Sequence, residues 1–240
     1  MMRARLLPFL SSAICALNLG CGEDSASDTH ASGGAAGTSG ASDSAAEVSG
    51  GEAGTTSGAM SFFVTSRGSG TQGGDYGGLE GADALCQSLA EGVGAAQRVW
   101  RAYLCTSTVH ARDRIGSGPW RNQRGDLIAT DVESLHTNGI QKEPTNLIVD
   151  ENGESVPLAE HDIVTGCNQD GTLAPNLTCD DWTSNSDQLA ARVGHSDIPP
   201  PPFDMSISWN SVHPSSSCTE MGLAERLGSG RIYCFAADAP

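Results

Sequence analysis

The sequence predicts a small α+β domain that is stabilised by disulfide bonds. Residues 79–92 carry apolar side chains at helical spacing after a glycine turn, which predicts a helix whose inner stripe includes Cys86. Residues 231–236 are an apolar and aromatic run, which is typical of a buried strand. Residues 61–240 contain six cysteines, an even number that predicts three disulfides in an exported chain. These are Cys86, Cys105, Cys167, Cys179, Cys218 and Cys234.

Residues 1–20 have the pattern of a signal peptide. Two arginines precede an apolar segment, and polar sequence follows too soon for a membrane-spanning helix. Residues 17–21 resemble a bacterial lipobox, in which the cysteine, here Cys21, is acylated and becomes the mature N-terminus. Asn18 departs from the usual leucine, so cleavage and release is the alternative. We therefore expect an exported protein that is anchored by lipid alone, at the outer membrane or cell surface of a bacterium.

The composition of residues 21–60 predicts a flexible tether, and residues 61–240 have the length of a single domain. The tether is rich in Gly, Ser and Ala and contains six acidic residues, so it cannot bury enough apolar surface to offset the entropy of ordering. The domain has 11 basic and 23 acidic side chains, a net charge of −12 with neutral histidines. This charge argues against nucleic acid as a partner, because phosphates attract basic surfaces.

The remaining elements of the domain follow from local patterns. Short apolar runs between turn residues predict strands, in addition to 231–236, at residues 61–66, 98–107, 126–130, 147–149 and 205–209. The segment between residues 112 and 202 is polar and rich in turns, and loops of this length usually carry function. Within it, Asn152-Gly153 favours a hairpin turn over a calcium loop. Four arginines are expected in ion pairs, with a local anion-binding patch as the alternative: Arg112, Arg114, Arg121 and Arg124.

Several segments at both ends of the domain resemble the lectin-like domains of bacterial lipoproteins. Those segments are Phe62-Phe63-Val64-Thr65-Ser66, Gly77-Gly78-Leu79-Glu80-Gly81-Ala82-Asp83-Ala84-Leu85-Cys86, Trp100-Arg101-Ala102-Tyr103-Leu104, Cys179-Asp180-Asp181-Trp182-Thr183-Ser184 and Arg231-Ile232-Tyr233-Cys234-Phe235. This family is distantly similar to the endostatin domain of collagens and to the C-type lectin-like fold. The resemblance covers nearly all of residues 61–237 and implies two small antiparallel sheets, two flanking helices and a region of long loops.

The same resemblance implies how the cysteines pair. The implied bonds are Cys86–Cys234, Cys179–Cys218 and, for the two cysteines that remain, Cys105–Cys167. Only 5 % of the residues are aromatic, so these bonds are expected to supplement a modest core. Each should stabilise the fold by about 2–4 kcal/mol.

Carbohydrate binding is the activity that the resemblance implies. Calcium-dependent lectins of this fold hold calcium through an EPN and a WND tripeptide, whereas this chain has an EPTN sequence at residues 143–146 and WNS at residues 209–211. The inserted threonine and the lost acid argue against a calcium site, and the simpler interpretation is a turn at Pro144 and core packing of Trp209. No cofactor or metal is therefore expected, with calcium as the alternative. The candidate ligand-binding residues are Glu143, Asn146, Trp209 and Asn210.

We expect a non-catalytic binding module for a glycan or an extracellular matrix polymer, with protein–protein interaction or a structural role in the envelope as the alternative. The domain's five histidines are scattered, and neither their spacing nor that of the cysteines matches a zinc motif. His195-Ser196-Asp197 is contiguous, whereas a catalytic triad is assembled from separate segments. The sequence has no GxSxG, HExxH or phosphate-loop motif, so catalysis is not expected. The oligomeric state stays open.

Overall fold

The structure, a computed structural model, describes residues 59–198 and 207–238 of the 240-residue chain. Within these ranges the domain has three small sheets, a few short helices and three disulfides, which confirms the predicted α+β class. No helix in these ranges is both long and apolar enough to cross a bilayer. The predicted signal peptide, Cys21 and the tether up to residue 58 lie outside the described residues.

Most elements are short, and loops connect them. The strands are β1 (Phe62–Val64), β2 (Trp100–Ala102), β3 (Trp120–Arg121), β4 (Leu127–Ala129), β5 (Asp162–Val164), β6 (Arg192–His195), β7 (His213–Pro214), β8 (Gly228–Arg231) and β9 (Tyr233–Ala236). The helices are α1 (Gly78–Gly92), α2 (Val132–Asn138), α3 (Cys179–Trp182) and α4 (Glu220–Ala224). Single 3₁₀ turns occur at Gly70–Gln72, Ala111–Asp113 and Leu158–Glu160.

The first sheet has the order β1-β9-β2, and all of its pairs are antiparallel. The last strand of the chain therefore lies between the first two. Phe62 stands opposite Phe235, and their rings meet edge to face at 4.9 Å. Trp120 packs against Phe235 from β3 at 5.2 Å. These fully buried aromatic side chains form the centre of the core.

Helix α1 packs on this sheet and is bonded to it covalently. The helix begins after Gly77, whose positive φ of 74° suits glycine, and its inner face buries Ala82, Cys86 and Ala90. A disulfide joins Cys86 to Cys234 on β9. The other two disulfides also have the pairing that the resemblance implied, Cys105–Cys167 and Cys179–Cys218.

A buried carboxylate on α1 holds the loop that follows β2. Asp83 forms ion pairs with Arg114 at 2.7 Å and with Arg101 at 2.9 Å, and it accepts a hydrogen bond from the amide of Ala102. The side chains of Asp83 and Arg114 are only 12 % and 13 % exposed, so the pair is largely desolvated.

The four arginines expected in ion pairs behave differently from one another. Among the described residues, an ion pair is found for Arg114, whereas the other three donate to carbonyl oxygens: Arg112 to Asp170, Arg121 to Gly125, and Arg124 to Gly153. Arg112 and Arg124 therefore fasten loops to one another, whereas Arg121 holds the turn between β3 and β4.

The remaining strands form a two-stranded sheet, β3-β4, and a four-stranded sheet with the order β7-β6-β5-β8. In the larger sheet β5 is antiparallel to β6 and parallel to β8. Between β5 and β6, α3 is a single left-handed turn in which four consecutive residues, 179–182, have φ between 49° and 69°. Asp180 and Asp181 therefore do not lie on an extended segment.

Several predicted strands are shorter than expected or absent. Residues 98–107 form a strand only at Trp100–Ala102, because the amide of Cys105 already bonds to the carbonyl of Thr165 in another part of the fold. Residues 147–149 contribute only one isolated bridge, which pairs Val149 with Ser155 across the predicted Asn152-Gly153 turn. Residues 207–209 are not a strand, and residues 205 and 206 lie outside the described ranges.

Replacing Asp83 with alanine tests the ion-pair cluster. The substitution leaves Arg114 without its carboxylate in a largely buried position, so the free energy of unfolding should fall by about 3 kcal/mol. The matched control is Glu80→Ala on the exposed side of the same helix, which should cost less than about 1 kcal/mol. Urea denaturation with the disulfides intact measures both changes. Equal, small losses for the two variants would contradict the assignment.

Candidate functional site

The structure separates the four predicted ligand-binding residues into two pairs. Glu143 is exposed, and it lines the same cleft as Trp209. Asn146 and Asn210 do not line this cleft, and both belong to the framework of the loops. In the EPTN and WNS sequences, therefore, only the first residue of each lines the cleft.

The amide groups of the two asparagines are used within the fold. Asn146 donates to the carbonyl of Ser196 at 2.8 Å and accepts from the amide of Ile148 at 2.9 Å. Asn210 is fully buried, and it donates to the hydroxyl of Tyr103 at 2.9 Å and to two nearby carbonyls. Because these amides already have partners, they do not form the two halves of a calcium site.

The cleft lies at the end of α2 and has a volume of about 420 Å³. Its lining combines amides, hydroxyls, one lysine and one glutamate with a few apolar side chains. It is lined by His136, Thr137, Asn138, Gly139, Ile140, Gln141, Lys142, Glu143, Gln169, Ile198, Ile207, Ser208 and Trp209. Cavities of this size suit small molecules or short segments of a polymer.

Lys142, which lines the cleft, is the only lysine of the chain. It is 7 % exposed, and its ammonium group donates to the carbonyl oxygen of Ile207 at 2.6 Å. Burial lowers the pKa of Lys142 from 10.5 to about 8, against the opposing effect of the Asp197 carboxylate. The cleft therefore contains an amine that loses its charge only a little above neutral pH.

His136 forms a fixed polar wall on the other side of the cleft. Its Nδ1 lies 2.7 Å from the carbonyl of Val132, and its Nε2 lies 2.7 Å from the hydroxyl of Tyr103. The carbonyl can only accept, so Nδ1 carries the hydrogen and Nε2 accepts from Tyr103. Burial lowers the pKa of His136, which keeps the ring neutral and locked in this orientation.

A second group of polar residues gathers on the four-stranded sheet. Asp162 begins β5 and stands opposite His195, the last residue of β6. His213 begins β7 and lies diagonally from His195, so the three side chains share a face. His161 has αR backbone angles at the end of a 3₁₀ turn, and this break in the strand alternation lets its ring reach the same face.

Three imidazole nitrogens surround the carboxylate of Asp162. Nε2 of His161 and Nε2 of His195 lie 3.4 Å and 3.3 Å from Oδ1, and Nε2 of His213 lies 3.6 Å from Oδ2. The side chains of His161, Asp162 and His195 are 4 %, 1 % and 1 % exposed, whereas that of His213 is 19 % exposed. We refer to these four residues as the histidine cluster.

Motif spacing in the sequence does not reveal the histidine cluster, because its histidines are not closely spaced in the chain. The three histidines lie at the start of β5, the end of β6 and the start of β7, His161 just before its strand, and they are far apart in the chain. The available signal was that His161-Asp162 and His195 each stand at an end of a short apolar run, but only the strand register brings these ends together.

Comparisons with known proteins identify no relatives: neither a protein-family model nor a curated protein sequence matches the chain.

The titration of Lys142 can be measured directly, because selective isotope labelling of lysine gives one side-chain NMR signal. We expect a midpoint near pH 8, since burial disfavours the charged form. The unfolded chain keeps this lysine protonated to higher pH, so unfolding takes up a proton between pH 8 and 10.5. The free energy of unfolding should therefore rise with pH in that window, and Lys142→Met should remove this contribution. A midpoint near 10.5 would contradict the burial of the amine.

Proposed function

We propose that residues 61–240 are a non-catalytic binding domain whose cleft takes a segment of a glycan or of a similar hydroxyl-rich matrix polymer. The observation that supports this proposal is the cleft itself, which has a volume of about 420 Å³ and is lined by amides, hydroxyls, one lysine, one glutamate and a few apolar side chains. Such a lining matches a ligand with many hydroxyl groups and few charges, because each hydroxyl both donates and accepts.

The exposed side chains at the cleft supply both kinds of hydrogen-bonding group. Gln141 and Gln169 are exposed amides that donate and accept, and Glu143 is an exposed carboxylate that accepts. Trp209 lines the cleft but is almost fully buried, so its ring face is not available for a sugar ring to stack on. We therefore infer binding through hydrogen bonds to a ligand that lies across the cleft, without a calcium ion as mediator.

The cellular setting of the proposal comes from the sequence. The signal-peptide pattern and the lipobox-like sequence ending at Cys21 support export and lipid anchoring, and the disulfides are typical of exported proteins. An acidic tether would hold the binding domain away from the membrane surface. Capture of an envelope protein is the second candidate function.

Binding to an array of glycans and polysaccharides tests the proposal. The purified protein should bind a restricted set of these ligands, and it should bind them equally in calcium and in EDTA, because the amides of the EPTN and WNS sequences are used within the fold. A blank array would overturn the glycan proposal and favour the protein-interaction alternative. Binding that disappears in EDTA and returns with calcium would overturn the calcium-independent mechanism.

A cleft variant with a matched control locates the site. The cleft variant replaces two glutamines and one glutamate: Gln141→Ala, Glu143→Ala and Gln169→Ala. The control replaces the same residue types at exposed positions elsewhere: Gln72→Ala, Gln188→Ala and Glu225→Ala. Loss of three hydrogen-bonding side chains should weaken binding to the array ligand at least tenfold, whereas the control should leave the affinity unchanged. Similar affinities for both variants would place the ligand outside the cleft.

A further inference from the structure

In two rings of the histidine cluster, the hydrogen bond at Nδ1 determines whether Nε2, which faces Asp162, carries a hydrogen. Nδ1 of His161 lies 2.7 Å from a carboxylate oxygen of Asp197, and Nδ1 of His213 lies 3.1 Å from the carbonyl oxygen of Pro214. Ionised carboxylates and carbonyls only accept hydrogen bonds, so each Nδ1 carries a hydrogen. A neutral ring of this tautomer has its lone pair on Nε2. Both lone pairs therefore face the carboxylate of Asp162.

Imidazole lone pairs and a carboxylate that face one another are a set of donor atoms for a cation. The contacts of 3.3–3.6 Å are longer than a usual N–H···O hydrogen bond. The contacts of His161 and His195 with Oδ1 match two ligands on one tetrahedral zinc ion, which lie about 3.3–3.4 Å apart when the metal–ligand bonds are about 2.0–2.1 Å. The contact of His213 with Oδ2 is longer, at 3.6 Å. Nε2 of His195 and Nε2 of His213 are also 3.3 Å apart.

We propose that His161, Asp162, His195 and His213 bind a zinc ion. Ligand atoms of His161, Asp162 and His195 lie within 4.8 Å of one another, which is close enough for one ion to reach all three. His213, on the outer strand β7, completes the set on the side from which an ion can enter, because its ring is the most exposed of the four.

The donor atoms select the class of metal. Three neutral imidazole nitrogens and one carboxylate oxygen suit zinc and its neighbours in the first transition series, whereas calcium requires six to eight oxygens. Asp197 and Pro214 accept hydrogen bonds from the outer nitrogens of two ligands, which is the usual way in which metal-bound histidines are oriented. Four protein ligands, three of them buried, are typical of a structural site, so the ion would hold β5, β6 and β7 together.

Metal binding to the full-length exported protein tests the proposal. The protein is first treated with a chelator, and Zn²⁺ alone is then added in a titration calorimeter. We expect one zinc ion per chain and a higher melting temperature for the loaded protein. Co²⁺ in place of zinc should give the visible absorption of a tetrahedral ion with nitrogen and oxygen ligands. Absence of stoichiometric binding by a protein that circular dichroism shows to be folded would overturn the proposal and leave protons to neutralise the cluster.

Two variants and a control assign the ion to this cluster. His213→Gln removes the most exposed ligand, and it should lower the zinc affinity at least tenfold with little effect on folding. Asp197→Asn keeps all four ligands but weakens the orientation of His161, and it should lower the affinity about 10–100-fold. His110→Gln, on an exposed loop, is the control and should bind zinc as the natural chain does. Equal zinc affinities for all three variants would place the metal elsewhere and overturn the assignment.

Discussion

Insertion of β9 between β1 and β2 is the contact on which the rest of the domain depends. The hydrogen bonds of both outer strands end on β9, and its Phe235 packs against the aromatic rings of Phe62 and Trp120. The bond from Cys86 to Cys234 attaches helix α1 to the same strand across 148 residues. Because these contacts join the two ends of the domain, the loop between them must be ordered at a large cost in entropy before the core can close.

Side chains that bond to distant backbone groups hold the loops, since the strands are too short to do so. The indole nitrogen of Trp182 donates to the carbonyl of Cys105, and the guanidinium of Arg231 donates to the carbonyl of Thr65. Asn210 connects three segments in the same manner. Buried donors of this kind are costly to leave unpaired, so each one fixes its loop in a single position. A fixed set of loops can then form the walls of a cleft.

Local signals predicted the parts of the fold that local interactions determine. Helix α1 and strand β9 have strong periodicity or an apolar run, and both were predicted within a residue or two. The predictions that failed concern residues whose conformation depends on tertiary contacts. The apolar run predicts a strand at residues 205–209, but Trp209 lies in a loop and packs between Tyr103 and Tyr233. The histidine cluster depends on the register of three short strands, which spacing in the sequence does not encode. Of the four candidate ligand-binding residues, Glu143 and Trp209 line the cleft, whereas the amides of Asn146 and Asn210 are used within the fold.

The cleft and the histidine cluster share two chain segments although they have no residue in common. Ile198, in the cleft wall, directly follows Asp197, the residue that orients His161. On the other segment, the carbonyl of Ser208 in the cleft wall accepts the amide hydrogen of His195. A zinc ion in the cluster would therefore order both of these segments without lying in the cleft. A zinc ion bound there, as we propose, would order these loops and leave the cleft free for the proposed ligand to bind by hydrogen bonds alone.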